Sequence, residues 1–189
     1  MARHLFSEGW HGFVEGRGWS LIGLLGVACG LIPLSASAQQ GHGASSLSVD
    51  AARVRECFVQ MGQEGVGNCI AEAANLCQER DGGSTTLGIV ACLQAETEVW
   101  DDLLNAQYLE LRDSMRQQDQ EWPELGISRA EALRDVQRAW IAFRDAECGY
   151  AYARYQGGTI RNVVAASCVL EETARRALTL KAFLHEGNM

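Results

Sequence analysis

The sequence predicts an all-α protein: an antiparallel bundle of three long helices preceded by a short N-terminal helical pair, stapled by disulfides. Three observations carry that expectation. Six cysteines fall in three neighbouring couples, and each couple straddles a glycine-bearing break. Only two prolines, Pro33 and Pro123, interrupt the chain, and no stretch sustains period-two alternation. Apolar residues instead recur at alternating steps of three and four, the signature of a one-sided helix.

The first helix is expected near 49–61, with Ser48 as its cap, and the second near 68–79, with Asn68 as its cap. Between them lies the glycine-rich run Gly62 to Gly67. The third helix is expected from about Thr86 to Gln117. Its stripe is Leu93, Thr97, Trp100, Leu104, Tyr108, Leu111 and Met115. Trp122-Pro123-Glu124-Leu125-Gly126 breaks the chain after it. The fourth helix opens on a capping box, Ser128-Arg129-Ala130-Glu131, and carries Leu133, Val136, Trp140, Phe143, Glu147 and Tyr150 as its inward stripe. Gly157-Gly158 ends it. The fifth starts near Thr159, with Val163, Ala166, Leu170, Thr173, Ala177, Leu180 and Leu184 on one face.

Helix geometry constrains the cysteines. Cys69 and Cys77 share one expected helix and lie about 12 Å apart along it, at ~1.5 Å per residue. A disulfide needs Cα atoms within about 7 Å, so each must pair with another segment. The hairpin around Gly157-Gly158 favours Cys148–Cys168. For the other four, Cys57–Cys69 with Cys77–Cys92 competes with Cys57–Cys77 and Cys69–Cys92. Loops of roughly 12–20 residues closed this way are each worth about 3 kcal/mol.

The amino terminus reads as an export signal over residues 1–38. Arg3 and Arg17 precede an apolar run from Leu21 to Leu34, and Ala36-Ser37-Ala38 forms a cleavage site before Gln39. The run is shorter than the roughly 20 residues of a membrane span. A lipoprotein processed at Cys29 is the weaker alternative. Cleavage removes Cys29 and leaves six cysteines. It also removes two arginines and two glutamates, so the net charge stays at −8. Residues 39–48 read as a flexible Gly/Ser/His/Gln-rich tail, and 49–187 as a single domain. Paired cysteines and an export signal place the chain in the periplasm or outside the cell. The acidic balance argues against nucleic acid and anionic lipid and favours a basic protein partner.

Signals for catalysis are missing. After cleavage only His42 and His185 remain, and neither neighbours a second ligand or a nucleophile. With every remaining cysteine bridged, no thiol is left for nucleophilic work or zinc. The chain has no G-x-S-x-G elbow, phosphate loop or H-E-x-x-H motif. No metal, cofactor or catalytic residue is therefore expected. Polar residues set on or beside the apolar stripes stand out instead: Glu96, Asp101 and Asn105 on the third helix, Gln137, Arg144 and Glu147 on the fourth, and Thr173 and Arg176 on the fifth. They read as a polar network that fixes helix register, because a buried polar group must find a partner, or as a partner-binding groove. The acidic run Glu96, Glu98, Asp101 and Asp102 reads as a wet helix face or an electrostatic docking patch.

Two motifs carry a family resemblance. Cys92-Leu93-Gln94-Ala95-Glu96-Thr97-Glu98-Val99-Trp100-Asp101-Asp102-Leu103-Leu104-Asn105, followed by Tyr108, resembles the first motif of the LprI-like lysozyme-inhibitor domain. Gln137-Arg138-Ala139-Trp140-Ile141-Ala142-Phe143-Arg144-Asp145-Ala146-Glu147-Cys148 resembles the second. Gly157-Gly158, Cys168, Thr173 and Arg176 fit the third segment, and Cys69 to Cys77 resembles a disulfide-tied preface of an extended variant. The resemblance implies an exported, cysteine-bridged envelope protein that binds and inhibits lysozyme-type muramidases, with no catalytic residues. A non-catalytic adaptor binding another envelope protein is the alternative. Tyr155, Arg161 and Trp122, at turns, are the expected candidates for contact with an enzyme cleft.

Overall fold

The computed structural model describes residues 47–62, 68–126 and 128–187. The expected export signal, Cys29 and most of the tail lie outside the described residues. Five α-helices follow in order: α1 (Ala51–Gln60), α2 (Glu72–Gln78), α3 (Thr86–Glu121), α4 (Arg129–Ala153) and α5 (Ile160–Gly187), with one 3₁₀ turn at Pro123–Leu125. Among the described residues there is no strand, and no helix is long and apolar enough to cross a membrane.

The helix starts follow local chemistry. Thr85 accepts a hydrogen bond from the Gly88 amide, and Ser128 accepts one from the Glu131 amide, as the capping box requires. Two expected caps are corrected. Asp50, not Ser48, caps α1, its carboxylate accepting from the Ala52 amide at 2.9 Å. Asn68 accepts from the Ile70 amide instead, in a turn that precedes α2. The residue that does stand at the α2 cap, Ala71, has φ 72° and offers no side-chain acceptor. Gly88 is dictated by space: a Cβ there would collide with the carbonyl oxygens of Gly82 and Gly83, where the preceding turn crosses the start of α3.

Consecutive long helices run antiparallel, so α3 and α5 point the same way, and their interface is the most extensive in the fold. Leu93, Trp100, Leu104 and Leu111 of α3 meet Leu170, Ala174, Ala177, Leu180 and Leu184 of α5 in one core. The alanines let the two helices approach closely. The α1–α2 pair closes this core. Phe58 of α1 packs edge-on to the fully buried Trp100, with ring centroids 6.1 Å apart and planes at 73°.

Three disulfides staple the fold: Cys57–Cys69 (Cα–Cα 5.8 Å), Cys77–Cys92 (5.7 Å) and Cys148–Cys168 (5.5 Å). They tie α1 to the turn before α2, α2 to α3, and α4 to α5. The competing pairing of the first four cysteines is thereby excluded.

The stripe expected on α4 is corrected. Leu133 is buried and Trp140 half-buried, but Val136, Phe143, Glu147 and Tyr150 are exposed. The buried residues of α4 are Leu133, Gln137, Arg144 and Cys148. Its inward face is thus rotated toward positions occupied by polar side chains, which a purely apolar periodicity cannot register.

Candidate partner-binding surface

Of the eight polar residues picked from the sequence, Asp101, Asn105, Gln137, Arg144 and Arg176 interact between α3, α4 and α5, and the two arginines reach Trp140. Arg176 donates through Nε to the Gln137 side-chain oxygen at 2.9 Å, with both residues buried. The Arg144 and Arg176 guanidinium carbons lie 5.2 and 5.9 Å from the Trp140 ring centroid, so the indole interacts with two cations. Arg144 donates through Nε and Nη2 to one oxygen of Asp145, at 3.0 and 2.8 Å. On α3, Asp101 accepts from the Asn105 amide at 2.9 Å and interacts with the Arg144 charge. Burial raises the Asp101 carboxyl above the usual range, and Asn105 and Arg144 pull it partly back. Burial also lowers the Arg176 guanidinium. Thr173, one turn before Arg176, is fully buried. Among the described residues neither its hydroxyl nor Nη2 of Arg176 has a hydrogen-bond partner.

Glu96 and Glu147 do not join this network. Glu147 stands exposed on α4. Glu96 is 1 % exposed and faces α2. Its two carboxylate oxygens accept from the Ala71 amide (2.9 Å), the Ala74 amide (2.7 Å) and Trp100 Nε1 (3.0 Å). A residue of α3 therefore caps the start of α2, which has no cap of its own. The acid also sits where the positive end of a helix favours it.

Two further inter-helix caps escape sequence reasoning. Asp119, near the end of α3, accepts from the Arg129 and Ala130 amides and from the Ser128 hydroxyl, and pairs with the Arg129 side chain. These bonds, the Arg129 amide first, hold its carboxyl below the usual range. Lys181 of α5 donates to the carbonyls of Phe58, Val59 and Met61 at 2.7–3.2 Å and lies 5.0 Å from the Phe58 ring centroid. A cation thus closes the negative end of α1. In the sequence Asp119 and Lys181 look like ordinary surface charges.

Above the polar network the same faces of α3 and α5 remain open. They line a groove of about 860 Å³ with Leu87, Val90, Ala165, Ala166 and Val169, and with Gln94, Thr97 and Glu98 along one side. Tyr152, from the end of α4, forms its lip. The corner beside it is rich in aromatic and arginine side chains. Tyr150, Tyr152 and Tyr155 are all exposed. Arg154 lies 5.9 Å from the ring centroids of both Tyr150 and Tyr155, and Arg161 lies 4.9 Å from that of Tyr152. The turn between α4 and α5 passes through Gly157 at φ 82° and is clamped by Cys148–Cys168 just below. Tyrosine and arginine are, with tryptophan, enriched among the residues that dominate binding energy at protein interfaces. Trp122, the other aromatic singled out at a turn, is exposed at the opposite end of α4. Among the described residues no group of histidine, cysteine or acidic side chains is arranged to hold a metal ion.

The described residues form an all-helical fold stapled by three disulfides, with an aromatic–arginine corner beside a groove. The particular family follows from comparison with known proteins. Residues 77–180 match the model of the lysozyme inhibitor LprI family, and the chain belongs to that family. The chain is also 30% identical over 99 residues to an uncharacterized protein of Rhizobium meliloti (strain 1021), a match covering 51% of this chain and 71% of the relative. No solved structure matches. The family match begins at Cys77, so α1 and most of α2 stand ahead of the matched region.

Proposed function

We propose that the protein is an exported, non-catalytic inhibitor of lysozyme-type muramidases, and that it docks through the α4–α5 corner. The observation that carries this reading is the family match over residues 77–180, a range that contains the corner and every residue lining the groove. The chemistry supports it. A glycoside hydrolase of this kind presents two carboxylates in a sugar-binding cleft. Arg154 and Arg161 supply cations for those carboxylates, and Tyr152 and Tyr155 supply flat surfaces like the sugars the cleft accepts. The net charge of −8 steers a cationic enzyme toward the protein. The disulfides suit an oxidising exterior. Neither the fold nor the comparisons add support to an adaptor role.

A turbidity assay tests the reading. The exported chain, at micromolar concentration, is expected to suppress lysis of peptidoglycan by hen-type or goose-type lysozyme. Arg154→Ala with Tyr155→Ala is expected to weaken inhibition at least about tenfold with the helical signal unchanged. Undiminished lysis with both enzymes removes the inhibitor reading. Unchanged inhibition by the double variant moves the docking surface elsewhere. Intact mass of the exported form, with and without reductant, checks cleavage after Ala38 and the three bridges together.

A further inference from the structure

We propose that Cys57–Cys69 is a redox-labile latch: a dithiol opens it ahead of the other two bridges, and α1 is then released from the core. The three disulfides differ in how a nucleophile can reach them. Cys77 and Cys92 are sealed, at 2% and 0% exposure. Cys148–Cys168 has one buried and one half-buried partner. Cys57–Cys69 also has one half-buried partner, Cys69, and in addition both of its cysteines line an open pocket of about 360 Å³. The other walls of that pocket are polar, with Arg53, Gln60 and Asn68 among them, so it is open to water and to a thiol.

The chemistry is thiol–disulfide exchange. One thiolate of the dithiol attacks Sγ of Cys69, the S–S bond breaks, and Cys57 leaves as a thiolate that takes up a proton. The second thiol of the donor then expels Cys69 from the mixed disulfide. Two electrons end on Cys57 and Cys69, and the donor closes to a disulfide. Attack falls on Cys69 because it is the more exposed partner; Cys57 is 6% exposed.

The bridges also differ in what they hold. Cys148–Cys168 joins α4 and α5, of 25 and 28 residues, which the Gln137–Arg176 bond and the Trp140–Arg176 contact also join. Its thiols stay adjacent when it is cut. Cys57–Cys69 joins the last turn of the ten-residue α1 to the turn before α2. A helix of that length is marginal by itself. With the bridge open, α1 is held by Val54 and Phe58 in the core and by the Lys181 bonds at its end. Its docking is weaker by the closure of a loop of sequence separation 12, a factor of up to about a hundredfold. When α1 lifts away it uncovers Phe58 and the face of Trp100 on which Phe58 packs, both buried in the bridged fold. The latch lies ahead of residues 77–180, so it acts outside the matched domain and does not rest on the inhibitor reading.

Limited reduction tests this. The exported chain is exposed to dithiothreitol at about pH 8, where thiolates form, quenched with iodoacetamide at intervals and mapped by peptide mass. Cys57 and Cys69 are expected to be labelled at least about tenfold faster than the other four cysteines. Hydrogen exchange is then followed in the singly reduced parent and, separately, in Cys57→Ala with Cys69→Ala. In both, the α1 amides should exchange at least about tenfold faster than in the bridged parent, with α3 and α5 amides unchanged. First labelling at Cys77 and Cys92 or at Cys148 and Cys168 overturns the proposal, as does labelling of all six at one rate. So does α1 protection that is unchanged in the singly reduced parent, a measurement that decides even where the alanine variant fails to fold.

Discussion

The N-terminal pair α1–α2 and the long helix α4 are held against the same α3–α5 core by opposite means. The seven residues of α2 are too few to form a helix alone, since isolated helices below about 12–15 residues are marginal in water. The pair is instead seated by its ends. Cys57–Cys69 and Cys77–Cys92 fix its position, Glu96 supplies the cap that Ala71 lacks, and Lys181 closes α1. The 25-residue α4 exceeds that length, and only four of its residues are buried. It rests on a polar seam, one disulfide and the Asp119 clasp, and it leaves an apolar face outside. Short elements here borrow stability from their neighbours, and the long one keeps surface free for contact.

The strongest way to break this contrast is Glu96→Ala. The substitution strips the acceptor from two amides and the Trp100 indole in a buried site, and each unsatisfied donor costs roughly 1–3 kcal/mol. A loss of about 3–4 kcal/mol is expected in urea unfolding, with protection of the α2 amides against hydrogen exchange lost first. Glu96→Gln, which keeps one acceptor oxygen, should lose about half as much. If Glu96→Ala costs no more than an exposed alanine substitution, the start of α2 is not held from α3.

Next in size is the α4–α5 bridge. Replacing Cys148 and Cys168 together by serine opens a crosslink of sequence separation 20 and should cost about 3 kcal/mol. The bridge lies just below the Tyr152 lip and the Tyr155 turn, so on the inhibitor reading proposed above the variant should lose inhibition at temperatures where it is still folded. Retained inhibition would show that the corner is ordered without the bridge.

These sites also mark where sequence reasoning stops. Glycine breaks and the Ser128 box placed the helices to within a few residues, because turn chemistry and capping are local. The stripes of α3 and α5 were legible because their inward residues are mostly apolar. On α4 the reading failed in a specific way. Trp140 and Leu133 do face the core, but Gln137, Arg144 and Cys148 occupy the rest of the inward face, so the strongest apolar pattern belongs to the outer face. Glu96 is recognisable as an acid on or beside an apolar stripe, but its reading as part of a wet or docking acidic face is corrected, since it is 1% exposed. Its partners, two amides of another helix, have no sequence signature. Asp119 and Lys181 act on chain ends that only the tertiary fold brings near, and neither residue type nor spacing marks them.

Asp119 separates the two regions by pH. Its folded carboxyl is held below the ordinary value, so its contribution is complete above the unfolded pKa of about 3.9 and is lost as pH falls through the folded value. Asp119→Asn should lower the urea midpoint at pH 7 and flatten its fall between pH 5 and 2. Parent and variant curves of identical slope would show that the clasp contributes nothing on acidification.

The smallest expected effect lies under α4 itself. Asp101 is half-buried, and burial outweighs the Asn105 amide and the Arg144 charge, so its folded carboxyl titrates above the unfolded one. The sign is opposite to that of Asp119. Its favourable share is complete below the unfolded pKa and disappears as pH rises through the folded one, leaving a net cost at neutrality. Asp101→Asn should therefore raise Tm slightly at pH 7, by the equivalent of about 0.5 kcal/mol or less, and lose that gain at pH 3. A clear loss of stability at pH 7 would mean that Arg144 depends on this carboxylate to stay beneath Trp140. The seat of α4 would then be an ion pair, and the contrast with the clamped N-terminal helices would narrow to a difference in disulfide number.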